Sequence, residues 1–293
     1  MTDACDLTLS LSGRWYGRYG AAPCPVCQPN RRKGQNALTL SDGRAGLLAH
    51  CKRSGCDFLD ILAAAGLRAS DYAPPDAATV AKRDAERRAD AQRKAEQARR
   101  LWQEAQHIAG TVAETYLRGR GITCPLPPTL RFHPDCWHGP TAKRYPALVA
   151  AVRGADLPAV HRTWLRPDGS GKAGIEPAKA MLGATSGGAV WLSDGPSRLV
   201  VAEGIESGLS LLCGLLDEPV TAWAGLSTSG LRGLRLPARP GRLSIATDGD
   251  KPGRDAAHAL AARAHGLGWQ VGILDPGDGA DFNDILTGKA VAA

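Results

Sequence analysis

Four of the eight cysteines are spaced like the ligands of a metal ion. Cys24 and Cys27 form a C-x2-C pair, and Cys51 and Cys56 form a C-x4-C pair after 23 intervening residues. Paired cysteines of this kind close a tetrahedral thiolate site, and four thiolates leave no position open for a substrate. We therefore predict a structural Zn²⁺ site. His50 is the alternative to Cys51 as third ligand, because only one of two neighbouring side chains points inward.

A second set of residues consists of carboxylates that follow predicted strands. Glu203 stands directly after the apolar run 199–202, and Asp248 and Asp250 follow the run 243–246. Acids at the ends of parallel strands share one edge of the sheet, and crowded carboxylates repel one another unless cations bridge them. Mg²⁺ or Mn²⁺ is the expected occupant, because Mg²⁺ binds few carboxylates, keeps water ligands and also binds phosphate oxygens.

Further acids near this edge allow two interpretations. Asp284, in the segment Asp281-Phe282-Asn283-Asp284, is a candidate supporting metal ligand, and Glu206 is a candidate to face the same cleft from the following helix. Any single acid here has the alternative role of a helix N-cap or loop residue. A glutamate after one strand, combined with Asp-x-Asp after a later strand, favours the metal site.

Basic and aromatic side chains surround the four cysteines. Cations suit phosphates and aromatic rings suit bases, so this composition favours binding of single-stranded nucleic acid. The net charge of +7 also favours a polyanionic partner, with solubility as the alternative explanation. The aromatic rings have the alternative role of covering a small core. The residues concerned are Arg14, Trp15, Tyr16, Arg18, Tyr19, Arg31, Arg32, Lys33, Lys52 and Arg53.

The composition excludes several classes of protein. The 293 residues are enough for about two domains, and 43% hydrophobic with 22% charged residues is typical of a globular chain. No apolar run approaches the roughly 18 residues of a membrane helix, and the first residues lack the pattern of a signal peptide. We expect a cytoplasmic protein without a membrane partner, in a compartment that keeps cysteines reduced.

Composition divides the chain into four segments. Residues 1–68 form the predicted zinc ribbon, residues 69–95 a linker and the start of a charged helix, residues 96–196 a basic mixed α+β subdomain, and residues 197–293 an α/β domain. The ribbon contains a predicted hairpin and a short helix that Gly66 stops. The charged helix begins near Ala81 and continues as an amphipathic helix from Leu101 to Tyr116.

Strands and helices alternate in the last segment. The expected strands are 198–202, 220–224, 242–246 and 269–274, with helices around 205–216, 231, 255–265 and 282–286. Apolar strands separated by helices indicate a parallel sheet that is covered on both faces. The middle segment has expected strands at 145–152 and 159–165.

The segments around the acids carry a family resemblance. Val200–Glu206 and Ala246–Arg254 resemble the Toprim domain, the metal-dependent catalytic fold shared by bacterial-type primases, topoisomerases and some nucleases. A zinc ribbon, a basic subdomain and a Toprim domain occur in this order in primases of bacterial, phage and plasmid type. His161–Leu165 and Lys179–Gly183 are similar to the region before Toprim in primase-like proteins of phages and plasmids. The resemblance implies a Rossmann-like parallel sheet as the catalytic domain.

The resemblance also implies a function, DNA primase, which makes short RNA primers on a single-stranded DNA template from nucleoside triphosphates. Asp248 and Asp250 would hold Mg²⁺, and Glu203 would share a metal or take the proton of the attacking hydroxyl. Lys251 and Arg254 would touch the nucleotide phosphates or neutralise the acids. A basic track for the template would come from Arg131, Lys143, Arg144, Arg162, Arg166, Lys172 and Lys179.

Two other functions use the same residues. A Toprim nuclease would use the same acids and metal to break the bond between nucleotides. A topoisomerase needs a tyrosine nucleophile as well, and all five tyrosines precede the acids. A nucleic-acid-binding protein of a mobile element would keep the fold without needing catalysis. The sequence has no P-loop motif, so a fused helicase is not expected and a separate replicative helicase is a candidate partner.

Overall fold

The computed structural model describes residues 2–32, 34–43 and 46–289, and the chain divides into two units, Met1–Asp90 and Ala91–Ala293. Among the described residues, no helix is both long enough and apolar enough to cross a lipid bilayer.

A four-stranded antiparallel sheet with two helices forms the first unit. The strands pair in the order β1-β2-β3-β4, and Leu38 lies opposite Cys51 in the β3–β4 hairpin. This pairing confirms the predicted hairpin, and α2 ends two residues before Gly66, which has the positive φ typical of a residue after a helix. The elements are α1 (Ala4–Ser10), β1 (Arg14–Trp15), β2 (Gly20–Ala22), β3 (Leu38–Asp42), β4 (Leu47–Cys51) and α2 (Phe58–Ala64), followed by a 3₁₀ turn at Ala69–Asp71.

A long helix, α3 (Ala77–Glu104), follows the turn. The prediction that this helix continues to Tyr116 was wrong. Residues Gln106–His107 instead form strand β5, which pairs with β6 (Leu130–His138), and a separate helix α4 (Val112–Gly119) begins after Gly110. Gly110 has a φ of +72°, which an α-helix does not accommodate, so the apolar spacing of this stretch spans two helices.

An antiparallel sheet follows, in the order β5-β6-β7-β8-β9. The strands after β6 are β7 (Lys143–Val152), β8 (Ala159–Trp164) and β9 (Lys179–Leu182). One face of this sheet packs Leu148 and Ala150 into the large core below, and the other face packs Val149 and Trp164 against the end of α3. The sheet therefore separates two apolar layers.

A second five-stranded sheet forms the rest of the chain, in the order β10-β12-β11-β13-β14. Strands β12, β11, β13 and β14 run parallel, and separate apolar clusters cover the two faces of the sheet. This arrangement confirms the predicted α/β architecture. Strand β10 pairs antiparallel with β12, so a strand from before residue 197 belongs to this sheet. The elements are β10 (Val190–Ser193), β11 (Leu199–Ala202), α5 (Ile205–Ser210), a π-helical turn (Leu211–Leu215), β12 (Thr221–Ala224), α6 (Thr228–Gly233), β13 (Arg242–Ala246), α7 (Lys251–Gly266), β14 (Gln270–Leu274) and α8 (Phe282–Leu286).

Candidate metal centre and zinc site

The acids that follow β11 and β13 lie at the same edge of the parallel sheet. The two strands are direct neighbours, and their last residues, Ala202 and Ala246, pair with each other. Glu203 follows one residue after this pair and Asp248 two residues after it. Strand pairing therefore explains why the two carboxylates interact although they are far apart in the sequence.

Glu203 is held in an environment that disfavours its charge. The side chain is partly buried, and burial, followed by the nearby charges of Asp248 and Asp250, raises its pKa to about 7. A carboxyl with this pKa is divided between its acid and base forms near neutral pH. In the absence of a cation, Glu203 is therefore suited to exchange a proton.

Asp248 has an oxygen that lacks a partner. Its Oδ1 is buried and accepts no hydrogen bond from any described residue. Burial, then the charges of Asp281 and Asp250, raises the pKa of this carboxyl. A buried carboxylate oxygen without a donor is costly, and a cation at this edge would satisfy it. The residues present therefore fit a divalent metal.

The carboxylates form an open arrangement rather than a closed cage. Within the described part of the chain, the only set of three or more acidic, histidine or cysteine side chains whose ligand atoms all lie within 4.8 Å of one another is the set of four cysteines. The ligand atoms of Glu203, Asp248 and Asp250 therefore do not all lie within 4.8 Å of one another, although the charges of Asp248 and Asp250 act on Glu203. Mg²⁺ keeps several water ligands, so it does not require a closed set of carboxylates.

Asp250 has a structural role as well. Its Oδ1 accepts a hydrogen bond of 2.7 Å from the backbone N–H of Gly253, so it is the N-cap of α7. The carboxylate is exposed. The helix therefore begins at Lys251, four residues before the predicted start, and the cap fixes the direction of the Asp250 side chain.

Gly249 between the two aspartates cannot carry a side chain. Its N–H donates to the carbonyl oxygen of Ala280 at 2.8 Å, and its carbonyl accepts from Gly279 at 2.9 Å. A Cβ on Gly249 would overlap the carbonyl oxygen of Gly277. The loop after β14 thus packs directly on the Asp-Gly-Asp segment.

That loop brings a carboxylate that sequence reasoning did not single out. Asp281, rather than Asp284, is the acid of this segment whose charge raises the pKa of Asp248. Asp284 accepts a hydrogen bond from the backbone N–H of Asp281 at 3.2 Å, and Asp281 accepts from the N–H of Asp284 at 2.8 Å, so the two residues form a capping box on α8. The Asp-x-x-Asp spacing at a helix start was the available signal for this cap.

Glu206 is buried and paired. It accepts a hydrogen bond of 2.7 Å from the hydroxyl of Tyr116, and the Nζ of Lys172 lies 3.1 Å from its Oε1. Burial opposes ionisation, but Lys172 and then Tyr116 outweigh it and lower the pKa of Glu206 to about 2. Glu206 therefore connects the parallel sheet to the preceding subdomain through a buried hydrogen bond and an ion pair.

Basic residues near the acids differ in what they contact. Lys179 is exposed, and its positive charge acts on Glu203, Asp248 and Glu206. Lys251 instead pairs with Asp255 at 2.9 Å. The guanidinium of Arg254 pairs with Asp275 at 2.7 Å and with Asp278 at 2.6 Å. Lys179 is thus the predicted basic residue best placed beside the acids.

Two predicted template contacts on the antiparallel sheet lie against tryptophan rings. The Arg162 guanidinium stacks 4.8 Å from the ring centre of Trp164, and that of Arg144 lies 5.8 Å from the ring centre of Trp137. Lys143, Arg144 and Arg166 are exposed. Arg131 donates to the carbonyl oxygen of Trp102 at 2.9 Å and stacks on its ring. The register of the sheet places Arg131 and Arg162 on one face and Arg144 on the other.

The first unit contains the predicted zinc site. The Sγ atoms of Cys24, Cys27, Cys51 and Cys56 all lie within 4.8 Å of one another, and those of Cys27 and Cys51 are 3.6 Å apart. His50 is exposed, so Cys51 is the ligand that points inward. Burial raises the pKa of the Cys51 thiol, but the backbone N–H groups of Ser54 and Cys56 outweigh it and lower the pKa to about 6. This cluster could hold Zn²⁺.

The basic and aromatic residues near the cysteines are mostly exposed. The Arg14 guanidinium lies 5.4 Å from the ring centre of Tyr16, which stacks on Tyr19 at 5.2 Å. Trp15 is partly buried and its indole N–H has no partner among the described residues. Exposed cations are Arg18, Arg31, Arg32, Lys52 and Arg53, and Lys33 lies outside the described residues.

Comparison with known proteins agrees with the edge of acids at the end of the parallel sheet. Residues 198–291 match the Toprim domain family. The C-terminal domain is a Toprim domain. Residues 92–192 match a domain of unknown function, DUF7146. A search of curated proteins finds no match.

Solved structures similar to this chain include primases. A DNA primase domain from Pseudomonas aeruginosa is 18% identical, with a TM-score of 0.43 over 67% of this chain and 75% of that one. The zinc-binding and RNA polymerase domains of Aquifex aeolicus primase are 12% identical, with a TM-score of 0.41 over 99% and 83%. The primase fragment of the bacteriophage T7 primase-helicase is 13% identical, with a TM-score of 0.37 over 64% and 71%.

Proposed function

We propose that this protein is a DNA primase, which synthesises short RNA primers on single-stranded DNA by Mg²⁺-dependent nucleotidyl transfer. The observation that carries the proposal is the buried, unpartnered Oδ1 of Asp248 at the acidic edge of the Toprim domain. The four-cysteine cluster and the exposed cations around it support a nucleic-acid partner.

In this proposal Asp248 and Asp250 hold the divalent ion, with Glu203 nearby. A bound Mg²⁺ supplies positive charge to the phosphate oxygens that become more negative during transfer. Asp250 presents its carboxylate from the first turn of α7, where the hydrogen bond to Gly253 limits its motion. Metal binding would also lower the pKa of Glu203, because a cation favours the carboxylate form.

Glu203 is the candidate to accept the proton of the attacking 3′-hydroxyl, since burial keeps its pKa close to neutral. Lys179 offers a positive charge at the same edge, where it would attract the triphosphate. The remaining oxygen of the Asp250 carboxylate is free to bind a cation. In this proposal the chain provides an anion site, a cation site and a proton acceptor at one edge of the parallel sheet.

The four-cysteine ribbon is proposed to contact the template. Its surface carries arginines and stacked tyrosines, which suit the phosphates and bases of a single strand. A separate replicative helicase would open the duplex.

A primer-synthesis assay tests the proposal. The purified chain is incubated with single-stranded DNA, labelled ribonucleotides and Mg²⁺, and products are separated by size. We expect new oligonucleotides with the wild type, and a loss of at least about 100-fold with Asp248→Asn, because a metal ligand is removed. Asp255→Asn is the matched control, since Asp255 lies on the same helix, α7, and forms an exposed ion pair with Lys251.

The assay separates the two alternative functions. Shortened template without new oligonucleotides would reject the primase and favour a Toprim nuclease. If the wild type showed neither synthesis nor cleavage, and Asp248→Asn and Asp250→Asn left its binding of single-stranded DNA unchanged, the non-catalytic nucleic-acid-binding role would be favoured. If the protein is a primase, Asp248→Asn and Asp250→Asn should lose primer synthesis and still bind single-stranded DNA.

A further inference from the structure

Two cysteines outside the zinc site meet where the middle subdomain contacts the Toprim domain. The Sγ of Cys213, in the π-helical turn after α5, lies 3.3 Å from the backbone nitrogen of Thr123 and 3.4 Å from that of Cys124. The two cysteines are 89 positions apart in the sequence. Such a spacing predicts no shared role, so the tertiary fold alone brings them together.

The surroundings of Cys213 favour its thiolate form. The backbone N–H groups of Thr123 and Cys124 both donate to its sulfur atom. Burial raises the pKa of the Cys213 thiol, but the hydrogen bonds from Cys124 and Thr123 outweigh it and lower the pKa. The thiolate is the form of cysteine that attacks electrophiles. Cys213 is therefore the more nucleophilic of the two sulfurs.

Arg118 holds the segment that supplies these two donors. Its Nη1 donates to the carbonyl oxygen of Ile122 at 2.8 Å and to that of Cys124 at 2.9 Å. The guanidinium also pairs with Glu114, four residues earlier on α4, at 3.0 Å. The carbonyl oxygens of the segment thus bind Arg118, while its N–H groups bind the sulfur of Cys213.

Cys124 is suited to be the second sulfur of a disulfide. Its thiol donates to the carbonyl oxygen of Leu209 at 3.7 Å. Burial, followed by the hydrogen bond and charge of Cys213, raises the pKa of Cys124, so this thiol keeps its proton. Both cysteines are partly exposed, which leaves them open to a small oxidant.

The other described cysteines outside the zinc site lack this arrangement. Burial raises the pKa of both Cys5 and Cys136, and Cys136 is also buried from solvent. Among these four described thiols, the lowered pKa belongs to Cys213 alone. Oxidation follows thiolate character and exposure, so it should select Cys213.

We propose that Cys213 and Cys124 are a peroxide-sensitive pair that closes to a reversible disulfide between the middle subdomain and the Toprim domain. The Cys213 thiolate attacks one oxygen of hydrogen peroxide, the O–O bond breaks, and the leaving hydroxide takes up a proton to become water. The sulfur of Cys124 then attacks the sulfenic acid on Cys213, the S–O bond breaks, and a second water leaves as the S–S bond forms. Two thiols lose two electrons in total, and the peroxide is reduced to two waters.

The bond adds a covalent link to a junction that has only non-covalent contacts in the reduced protein. The hydrogen bond from Tyr116 to Glu206 spans the same junction, as does that from the side chain of Asn283 to the carbonyl oxygen of Arg120. A thiol reductant reverses the oxidation by thiol–disulfide exchange. The redox state of this pair would therefore set how firmly α5 is tied to the preceding subdomain.

Peptide mapping of the full chain, purified with Zn²⁺, tests the pair. The protein is treated with hydrogen peroxide at neutral pH, remaining thiols are alkylated, and the chain is digested with trypsin without reductant. Cys124 lies in the tryptic peptide 121–131 and Cys213 in the peptide 199–232. We expect the two peptides to be joined, with a mass two hydrogen atoms below their sum, and to separate after dithiothreitol.

Two variants separate the roles of the sulfurs. In Cys124→Ser, peroxide should leave a sulfenic acid on Cys213, and dimedone should label it at least about tenfold more than Cys5. Cys5 is the matched control, because its thiol is also partly exposed. In Cys213→Ser, Cys124 should remain a thiol that dimedone does not label. The wild-type map needs no substitution, so it tests the pair even if a variant is unstable.

Several results would overturn the proposal. These are the absence of the joined peptides after peroxide treatment, their appearance only in a disulfide-linked dimer, equal labelling of Cys5 and Cys213 in Cys124→Ser, and labelling of Cys124 in Cys213→Ser. The reaction contains no nucleotide and no Mg²⁺ and reports only on sulfur chemistry. A failed primer assay and a failed disulfide are therefore distinct results.

Discussion

The buried anion Glu206 should make the second unit sensitive to the loss of Lys172. In the wild type, Lys172 and Tyr116 lower the pKa of Glu206 from 4.5 to about 2, and such a shift corresponds to about 3 kcal/mol of folding free energy. Lys172 is 32% exposed, so solvent screens part of its contribution. For Lys172→Met we expect a loss of about 2 kcal/mol at neutral pH, because the carboxylate remains buried without its cation.

The loss should depend on pH with a definite sign. The folded pKa of Glu206 is below the unfolded one, so its stabilisation is present above about pH 4.5 and is lost as pH falls toward 2. Near pH 3 the Glu206 carboxyl is protonated in the unfolded chain, so less of the stabilisation by its charge remains. The difference between wild type and Lys172→Met should therefore shrink in acid.

Tryptophan fluorescence during urea unfolding measures this, since six of the seven tryptophans follow residue 90. The double variant Lys172→Met/Glu206→Gln should recover most of the loss, because no buried charge is left. Lys251→Met, which breaks an exposed pair, is the control and should have no measurable effect. An equal loss at pH 7 and pH 3, or no loss at pH 7, would refute the reasoning.

Four further predictions concern the two candidate metal sites. Cys51→Ser should lower the zinc content of the purified protein and His50→Ala should not, as measured by atomic emission; equal losses would contradict the inward position of Cys51. Gly249→Ala should destabilise the second unit by about 2 to 3 kcal/mol in urea unfolding, because a Cβ overlaps the Gly277 carbonyl, and an unchanged midpoint would argue against that packing. Glu203→Gln should stabilise the metal-free protein at pH 8 by about 1 to 2 kcal/mol, because the raised pKa of Glu203 means that folding stability falls as pH rises from 4.5 through 7. The Glu203→Gln variant should gain little folding stability at pH 4. Separately, Mg²⁺ should raise the melting temperature of the wild type but not that of Asp248→Asn.

Local patterns in the sequence were sufficient for the elements and for several site residues. Cysteine spacing predicted the thiolate cluster, and apolar runs with intervening helices predicted the parallel sheet. Glu203 and Asp248 stand one and two residues after their strands, so the edge on which they lie follows from strand direction alone. Such features depend on residues close in sequence, where steric preference and hydrophobic periodicity decide the outcome.

Contacts between distant segments required the tertiary structure. The hydrogen bond from Tyr116 to Glu206 joins residues 90 positions apart, and no local pattern predicts it. The charge of Asp281 acts on Asp248, and the loop that precedes Asp281 packs on Gly249 through backbone hydrogen bonds, a contact that no local pattern predicts. Arg162 faces away from the acids because side chains alternate along β8, and the sequence did not specify which face meets the Toprim domain. Packing of one sheet against another decides which side chains from distant segments meet, since the free energy of burial depends on which surfaces come into contact.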